Sequence, residues 1–268
     1  MILRRITDAF RRQDWFTVFI ETLIVVLGVF LGLQVNNWNA GRTNRAMETT
    51  YLELLRRDLR TIVVDLENQI EFEQFQVRLA NDAVSIIEQP PSELRKKQLG
   101  MTLTQLGARR TMRIDSPTFL DLQGSGRLGL VSDPDLRSAI LSYFFGMQRW
   151  EAVIDKNNEF FVDNSFNTFT DDLSVGYWFW DEDVMNLTPP AFVSLILKQR
   201  REGVDPRLLE AGGAVLQSPP DAAVWDEVRT RLGKRASIAI ANESIASNVR
   251  DEAQAVEKQI TAYLEARN

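Results

Sequence analysis

The sequence contains no cysteine and no histidine. Without cysteine the chain has no disulfide and no thiol chemistry, and without histidine it lacks the imidazole used in zinc fingers and Ser-His-Asp triads. Carboxylate, lysine and hydroxyl chemistry remain, but no Walker A, GxSxG or SxxK pattern occurs in a usable context. We therefore expect no catalytic residue, no metal site and no cofactor, and we predict that the protein is not an enzyme.

An excess of positive charge is absent as well. The net charge of the 268 residues is −6, of which residues 1–14 carry +2, residues 15–37 carry −1 and the remainder −7. No basic face that could follow a phosphate backbone is evident, so we expect no nucleic-acid partner. Hydrophobic residues make up 44% of the chain, enough for most of it to form a packed core.

One long apolar run stands near the N-terminus. From Trp15 to Val35 the chain has a single charge, at Glu21, over a length that can cross a membrane. Trp15 and Trp38 lie at the two ends, where interfacial aromatic residues are common. We predict a transmembrane helix over 15–37. A cleaved signal is the alternative, but a cut after Ala40 would place Trp38 where a small residue is needed.

The flanking charges predict the orientation. Four arginines precede the run and two follow it, which favours an N-terminus in the cytoplasm and a body outside it. Residues 1–14 form either an amphipathic cytoplasmic tip, with its arginines at the lipid headgroups, or an ordinary polar flank. The arginines predicted at this interface are Arg4, Arg5, Arg11 and Arg12.

Glu21 is costly in hydrocarbon, so it must neutralise, extend to the interface or face a partner. At helical spacing it shares a face with small residues that let two helices approach closely. The predicted membrane helix-packing residues are Glu21, Val25, Gly28, Gly32 and Val35. Contact with another helix and extension of Glu21 to the nearby cytoplasmic interface both remain open.

The rest of the chain, 38–268, is predicted to be an extracytoplasmic all-α domain. Two long helices, about 42–89 and 221–266, are expected to pack antiparallel, with smaller helices over 92–217, including one that starts at Thr188. Leucines 52, 55, 59 and 66 with Ile62 form one stripe, continued less regularly by Ile70, Val77 and Ile86. The second stripe comprises Trp225, Val228, Leu232, Arg235, Ala239, Asn242, Ala246, Val249, Ala253, Val256, Ile260 and Tyr263.

Two short motifs have competing interpretations. Gly124-Ser-Gly126-Arg-Leu-Gly129 matches GxGxxG, but no strand precedes it, so a helix-breaking corner is the better interpretation. An aromatic cluster before Asp181-Glu-Asp183 would dock a partner, contact the membrane interface, form a weak calcium loop or fill the core. Its residues are Tyr177, Trp178, Phe179 and Trp180.

Two blocks resemble a bacterial membrane-anchored family of unknown function. The first is IETLIVVLGVFLGLQVNNWN, with an L-Q-x-N-N-W-N exit from the span, followed by YLELLRRDL; the second is SPTFLDLQGSGRLGLVSDPDLRSAILSYF. The resemblance implies an inner-membrane helical protein and supplies no activity. The matching positions are Glu21, Gly28, Gln34, Asn36, Asn37, Trp38, Asn39, Phe119, Leu122, Gly126, Leu128, Leu136 and Arg137.

These observations predict a single-pass accessory or assembly subunit. Its partners would be membrane lipids and other membrane-protein subunits or further copies of itself. The alternative is an extracytoplasmic sensor or small-ligand or lipid-binding module, with a pocket near Phe119, Tyr143 or Trp178.

Overall fold

The protein is all-α. A computed structural model describes residues 15–173, 175 and 213–267, without the side chains of 15–18 and 21. Its α-helices are α1 Trp15–Ile87, α2 Glu93–Leu106, α3 Pro117–Gly124, α4 Pro134–Asn157, α5 Thr168–Asp172 and α6 Val224–Glu265. A π-helix, Asn158–Asn167, joins α4 to α5, and 3-10 turns cover Arg127–Leu130 and Ala214–Gln217.

The framework is an antiparallel pair formed by α1 and α6, as predicted. Near the start of the packed part, the Tyr263 hydroxyl donates to Glu48 at 2.8 Å. Side-chain bonds then join Arg60 to Glu257 at 2.9 Å, Gln74 to Glu243 at 2.7 Å and Glu88 to Arg229 at 2.7 Å. Each step forward along α1 is matched by a step back along α6, so the register is kept to the end of the pair.

The contact stripe of α6 agrees with the prediction at all positions but the last. From Trp225 to Ile260 every predicted residue is buried, including Arg235 and Asn242. At the end Leu264 is buried and Tyr263 only partly so. The many alanines on this stripe explain the close approach of α1, because small side chains leave room for the neighbouring helix.

The stripe of α1 is more regular than its apolar residues indicate. Its leucines and Ile70 are buried as predicted, and Ile86 packs partly buried against the α2 core, but Val77 is only partly buried and belongs to neither core. The spacing of three and four residues instead runs through polar positions. The buried stripe is Glu48, Leu52, Leu55, Leu59, Ile62, Leu66, Gln69, Glu73, Gln76, Ala80, Ala83 and Ile87.

Local signals determine where the smaller helices begin. The side chains of Ser92, Ser116 and Asp133 accept hydrogen bonds from the first turns of α2, α3 and α4. Pro117 and Pro134 lie at the first helical position, where the missing amide hydrogen costs nothing. The glycine motif is a corner, as predicted: α3 ends at Gly124, and Gly126 adopts a left-handed φ of 69°.

Two hydrophobic cores lie along the α1–α6 pair. The α4 core joins α1 residues 52–70 to α3, α4 and the second half of α6. The α2 core joins α1 residues 79–87 to α2 and the first half of α6, around the fully buried Trp225. Between the two cores the stripe of α1 is polar, and the irregular linker 107–116 passes there from α2 to α3.

Candidate functional site

The apolar start of α1 has no partner among the described residues. Every described side chain from 22 to 40 is exposed, among them Phe30 at 53% and Leu33 at 58%. Trp38, the predicted interfacial residue, is 64% exposed. Within the described part of the chain there is therefore one N-terminal apolar helix long enough to cross a membrane, a feature typical of a membrane span or a signal sequence.

The predicted helix-packing residues lie on this exposed part of α1. Val25 and Val35 are 64% and 63% exposed, and a Cβ on Gly28 or Gly32 would have no neighbour within 4 Å. Trp15 and Glu21 lie on the helix, but their side chains are outside the described residues, as are Arg4, Arg5, Arg11 and Arg12. The cluster Tyr177, Trp178, Phe179 and Trp180 and the helix predicted from Thr188 are also outside them.

Packing of α1 begins at Glu48, which is only 2% exposed. Its carboxylate accepts hydrogen bonds from the amide and hydroxyl of Ser132, at 2.7 and 2.8 Å, and from the Tyr263 hydroxyl at 2.8 Å. Arg267 donates to its second oxygen at 2.7 Å. Burial by itself would raise the pKa of Glu48, but these hydrogen bonds outweigh burial and lower it. Glu48 thus joins α1, the start of α4 and the end of α6.

A groove lies on α1 next to this junction. It has a volume of about 470 Å³ and is bounded by α1, Asp121 of α3 and Arg127 of the following turn. The Tyr51 hydroxyl donates to Asp121 at 2.7 Å and accepts from Arg127 at 3.1 Å. The glycine corner that breaks α3 therefore places Arg127 at the rim. The α1 residues of the groove are Thr43, Ala46, Met47, Thr50, Tyr51 and Leu54.

The groove and the predicted packing residues share one side of α1. Ala46 follows Gly28, and Thr50 follows Gly32, by 18 residues, which is about five turns of an α-helix. Thr43 follows Val25 by the same interval. Because α1 is helical throughout this range, these side chains lie above one another on a single face. That face is built largely from glycine, alanine and threonine, the residues that allow close helix approach in membranes.

A second unusual site is buried between the two cores. We call it the polar layer: Gln69, Glu73 and Gln76 of α1, Arg235 and Asn242 of α6, and Asn158 of the π-helix. Glu73 accepts from Gln69 at 2.8 Å and from Asn242 at 3.3 Å. Glu73 and Arg235 are each 1% exposed, and their nearest charged atoms are 3.9 Å apart.

The linker explains why polar residues occupy the centre of the pair. A segment without regular structure carries carbonyl groups that need donors when they are buried. Arg235 donates to the carbonyls of Leu106 at 2.9 Å and Ala108 at 3.2 Å, and Asn158 to that of Arg110 at 3.0 Å. Arg235 thus holds the end of α2 and the start of the linker against α6.

The π-helix places a second asparagine against the same linker. Asn167 donates to the carbonyl of Gly107 at 3.2 Å. Asn158 and Asn167 are nine residues apart, which in an α-helix would be two and a half turns and would put them on opposite sides. The wider turn of a π-helix brings both to one side, so both reach the linker. Gly107 is needed for this approach, because a Cβ there would lie 2.3 Å from the side-chain oxygen of Asn167.

The polar layer is incompletely hydrogen-bonded within the described structure. One buried atom of each of four residues has no partner: Gln69 Oε1, Glu73 Oε2, Gln76 Oε1 and Arg235 Nη1. Burial raises the pKa of Glu73 to about 7, and Arg235 offsets this rise only in part. Burial also lowers the pKa of Arg235. Burial of these incompletely paired charged and polar groups therefore costs free energy that an apolar core would not cost.

Sequence reasoning missed Glu48, Gln69, Glu73 and Gln76 as buried residues. The signal was present, because all four continue the three-and-four spacing of the α1 leucines. Asp58 accepts from the Ser116 hydroxyl and the Thr118 amide at 2.8 and 3.1 Å and so anchors the start of α3. Among the residues that the structure describes, no three acidic side chains approach closely enough to hold a metal ion.

Two of the three aromatic residues expected near a ligand pocket, Phe119 and Tyr143, are buried in the α4 core. Phe119 stacks on Phe144 with ring centroids 4.3 Å apart, and Tyr143 packs edge-on against Phe144 at 5.0 Å. Phe119 and Tyr143 are 5% and 2% exposed, and neither lines the groove. Trp178, the third residue of that prediction, lies outside the described residues.

Taken as a class, this is an all-α protein in which one N-terminal helix of membrane-spanning length continues into a packed helical body. The chain matches no family model, and no curated protein or solved structure matches it. The family resemblance of the two sequence blocks therefore stays a prediction.

Proposed function

We propose that the protein is a non-enzymatic single-pass membrane protein that acts as an accessory or assembly subunit. The observation that carries this proposal is the unpartnered face of α1, which runs from Val25 through Gly28 and Gly32 to the groove at Ala46 and Thr50. If α1 served only as a membrane anchor, this face would not need to continue beyond the apolar run and form part of a groove.

The orientation proposed for the span follows the arginine distribution. With Arg4, Arg5, Arg11 and Arg12 in the cytoplasm, the body lies on the opposite side of the membrane. The groove begins at Thr43, eight residues or about 12 Å beyond Val35 along the helix. Headgroup regions extend only roughly 5–8 Å beyond the hydrocarbon core, so the groove stands clear of the lipids and is open to a protein partner.

The partner proposed for this face is a helix of a second membrane-spanning chain, either another copy of this protein or a different subunit. A helix beside α1 from Val25 to Leu54 would run for about 44 Å. Close contact at the small residues would supply dispersion and packing within the membrane. At the groove, Tyr51, Asp121 and Arg127 would supply polar contacts that select the partner and its register.

Site-specific cross-linking tests this proposal. Because the sequence has no native cysteine, an introduced cysteine is the only thiol in the chain. Single cysteines at Gly28 and Ala46, labelled with a maleimide that carries a photoreactive group, should form cross-links in intact membranes whether or not the partner has a thiol. Matched cysteines at Phe30 and Arg45, on other sides of α1, should give little product. Mass spectrometry of the products then distinguishes a homodimer from a complex with another subunit.

The pattern around the helix decides the outcome. Equal cross-linking at all four positions would indicate random collision, and no product at Gly28 and Ala46 would leave α1 a simple anchor; either result contradicts the proposal. A Gly28→Leu change should abolish the Ala46 cross-link as well, because both positions belong to one continuous contact.

A further inference from the structure

The polar layer separates the two hydrophobic cores of the body. On one side of it lies the α4 core and on the other the α2 core, and neither cluster includes Glu73 or Arg235. Of the seven buried side-chain atoms without a hydrogen-bond partner in the described structure, four belong to this layer; the others are two atoms of Arg95 on α2 and the Tyr143 hydroxyl on α4. The linker 107–116 covers the layer and is held there by side chains rather than by a helix ladder.

We propose that the polar layer is a proton-binding site that couples the surrounding pH to the opening and closing of the linker 107–116. The ligand is a proton, bound by the Glu73 carboxylate. The moving part is the α2 end of the linker, where Arg235, Asn158 and Asn167 hold its carbonyls; nearer α3 the linker is also anchored by Asp155, Glu151 and Asp58. This inference does not depend on the proposed partner helix.

A hollow beside the linker reaches Gln69, the residue that donates to Glu73. A small hollow of about 120 Å³ opens beside the linker and is bounded by Leu66, Gln69 and residues 110–113. Gln69 lines this hollow and also donates to Glu73 at 2.8 Å. Water in the hollow would therefore be separated from the Glu73 carboxylate by the Gln69 side chain. Movement of the linker would bring that water close enough to exchange a proton with Glu73.

Few charges act on Glu73. From α6 it faces Arg235, whose positive charge lowers its pKa, and at longer range Glu243, which raises it. The π-helix presents the neutral Asn158, the linker presents backbone carbonyls held by Arg235 and Asn158, and α1 itself presents Gln69 and Gln76. Desolvation is the largest effect, and it favours the protonated carboxyl in the closed state.

The direction of the coupling follows from this preference. In the closed layer Glu73 holds its proton up to about pH 7, whereas a solvated glutamate would lose it near 4.5. Proton binding therefore favours the closed linker, and loss of the proton favours an open linker that lets water reach the carboxylate. Acidification tightens the layer and alkalinisation loosens it.

Amide hydrogen exchange of the full-length protein in detergent tests the proposal. After division by the intrinsic exchange rate at each pH, the opening constant of amides 107–116 should rise roughly tenfold per pH unit between about 5 and 7 and level off above. Amides near Leu59, in the α4 core, should keep the same protection across this range. A flat corrected profile in the linker would overturn the proposal without any variant.

Two variants assign the effect to Glu73. Glu73→Gln imitates the protonated carboxyl, so the linker should stay closed at every pH and the rise should disappear. Glu243→Gln, which removes the neighbouring carboxylate, should keep the rise. If the Glu73→Gln protein is folded by circular dichroism and still shows the wild-type slope, another group binds the proton and the proposal is wrong.

Discussion

The two halves of α1 share one backbone and differ in almost everything else. From 22 to 46 no described side chain is buried, whereas from Glu48 to Ile87 a buried residue recurs every three or four positions. From 22 to 35 the first half is apolar on nearly all sides, whereas the second half has one mainly apolar stripe and polar flanks. Helix formation alone therefore does not determine packing. The distribution of apolar residues around the helix determines whether a half suits a lipid environment or packs one side against the body.

The sharpest contrast between the halves is expected from leucine deletion. Leu59→Ala removes a fully buried side chain of the α4 core and should lower the free energy of unfolding by about 2–5 kcal/mol. Leu33→Ala, at a position 58% exposed, should leave unfolding of the body unchanged. Urea denaturation in detergent, followed by circular dichroism and Trp fluorescence, measures both. A comparable loss from Leu33→Ala would show that the first half also packs on the body.

The boundary between the halves can be weakened at Glu48. Glu48→Gln removes the charge that Ser132, Tyr263 and Arg267 surround and should cost roughly 1–3 kcal/mol of stability at neutral pH. Glu53→Gln, on the exposed side of the next turn, is the matched control and should change stability by no more than about 0.5 kcal/mol.

The contribution of Glu48 should also depend on pH. Its folded-state pKa lies below the ordinary value of 4.5, so its contribution is present above pH 4.5 and is lost as the pH falls through the folded pKa. The stability difference between the wild type and Glu48→Gln should therefore shrink on acidification below 4.5. A difference that stayed constant down to pH 3 would contradict this assignment.

The smallest expected effect concerns the exposed half itself. Gly41 lies within α1, where a Cβ would meet only the Arg45 guanidinium at 3.8 Å. Gly41→Ala should raise local helix stability by about 0.5–1 kcal/mol. Slower amide exchange at 38–46, with an unchanged unfolding midpoint of the body, is the expected result. An equal shift in both would mean that this stretch unfolds together with the body.

The sequence predicted the framework because the long helices repeat one simple pattern. On α6 the spacing of three and four residues predicts the buried stripe even at Arg235 and Asn242, because the spacing holds whatever the residue type. On α1 the buried stripe passes through the polar residues Gln69, Glu73 and Gln76. A pattern made of apolar residues alone therefore leads to Val77, which is only partly buried. Helix caps such as Ser92 and Asp133 depend only on a few adjacent residues, so they too can be recognised from the sequence.

The polar layer and the groove could not be predicted in this way. Glu73 is buried because a linker that is distant in sequence brings carbonyls beside Arg235, and no local pattern reports that crossing. The π-helix depends likewise on where Asn158 and Asn167 find acceptors. The groove needs Tyr51 and Arg127, 76 residues apart, to meet at Asp121.

The continuity of α1 gives the molecule mechanical leverage. From Val35 to Ile87 the helix rises about 78 Å, and α6 is clamped along most of that length. Embedded in a bilayer, a change of roughly 10° in the tilt of the span, well within the range that membrane helices show, would carry the far end of the body sideways by about 14 Å. A partner that grips only the span could thus reposition the α2 core from a distance, and the protein would convert a small movement in the membrane into a large one outside it.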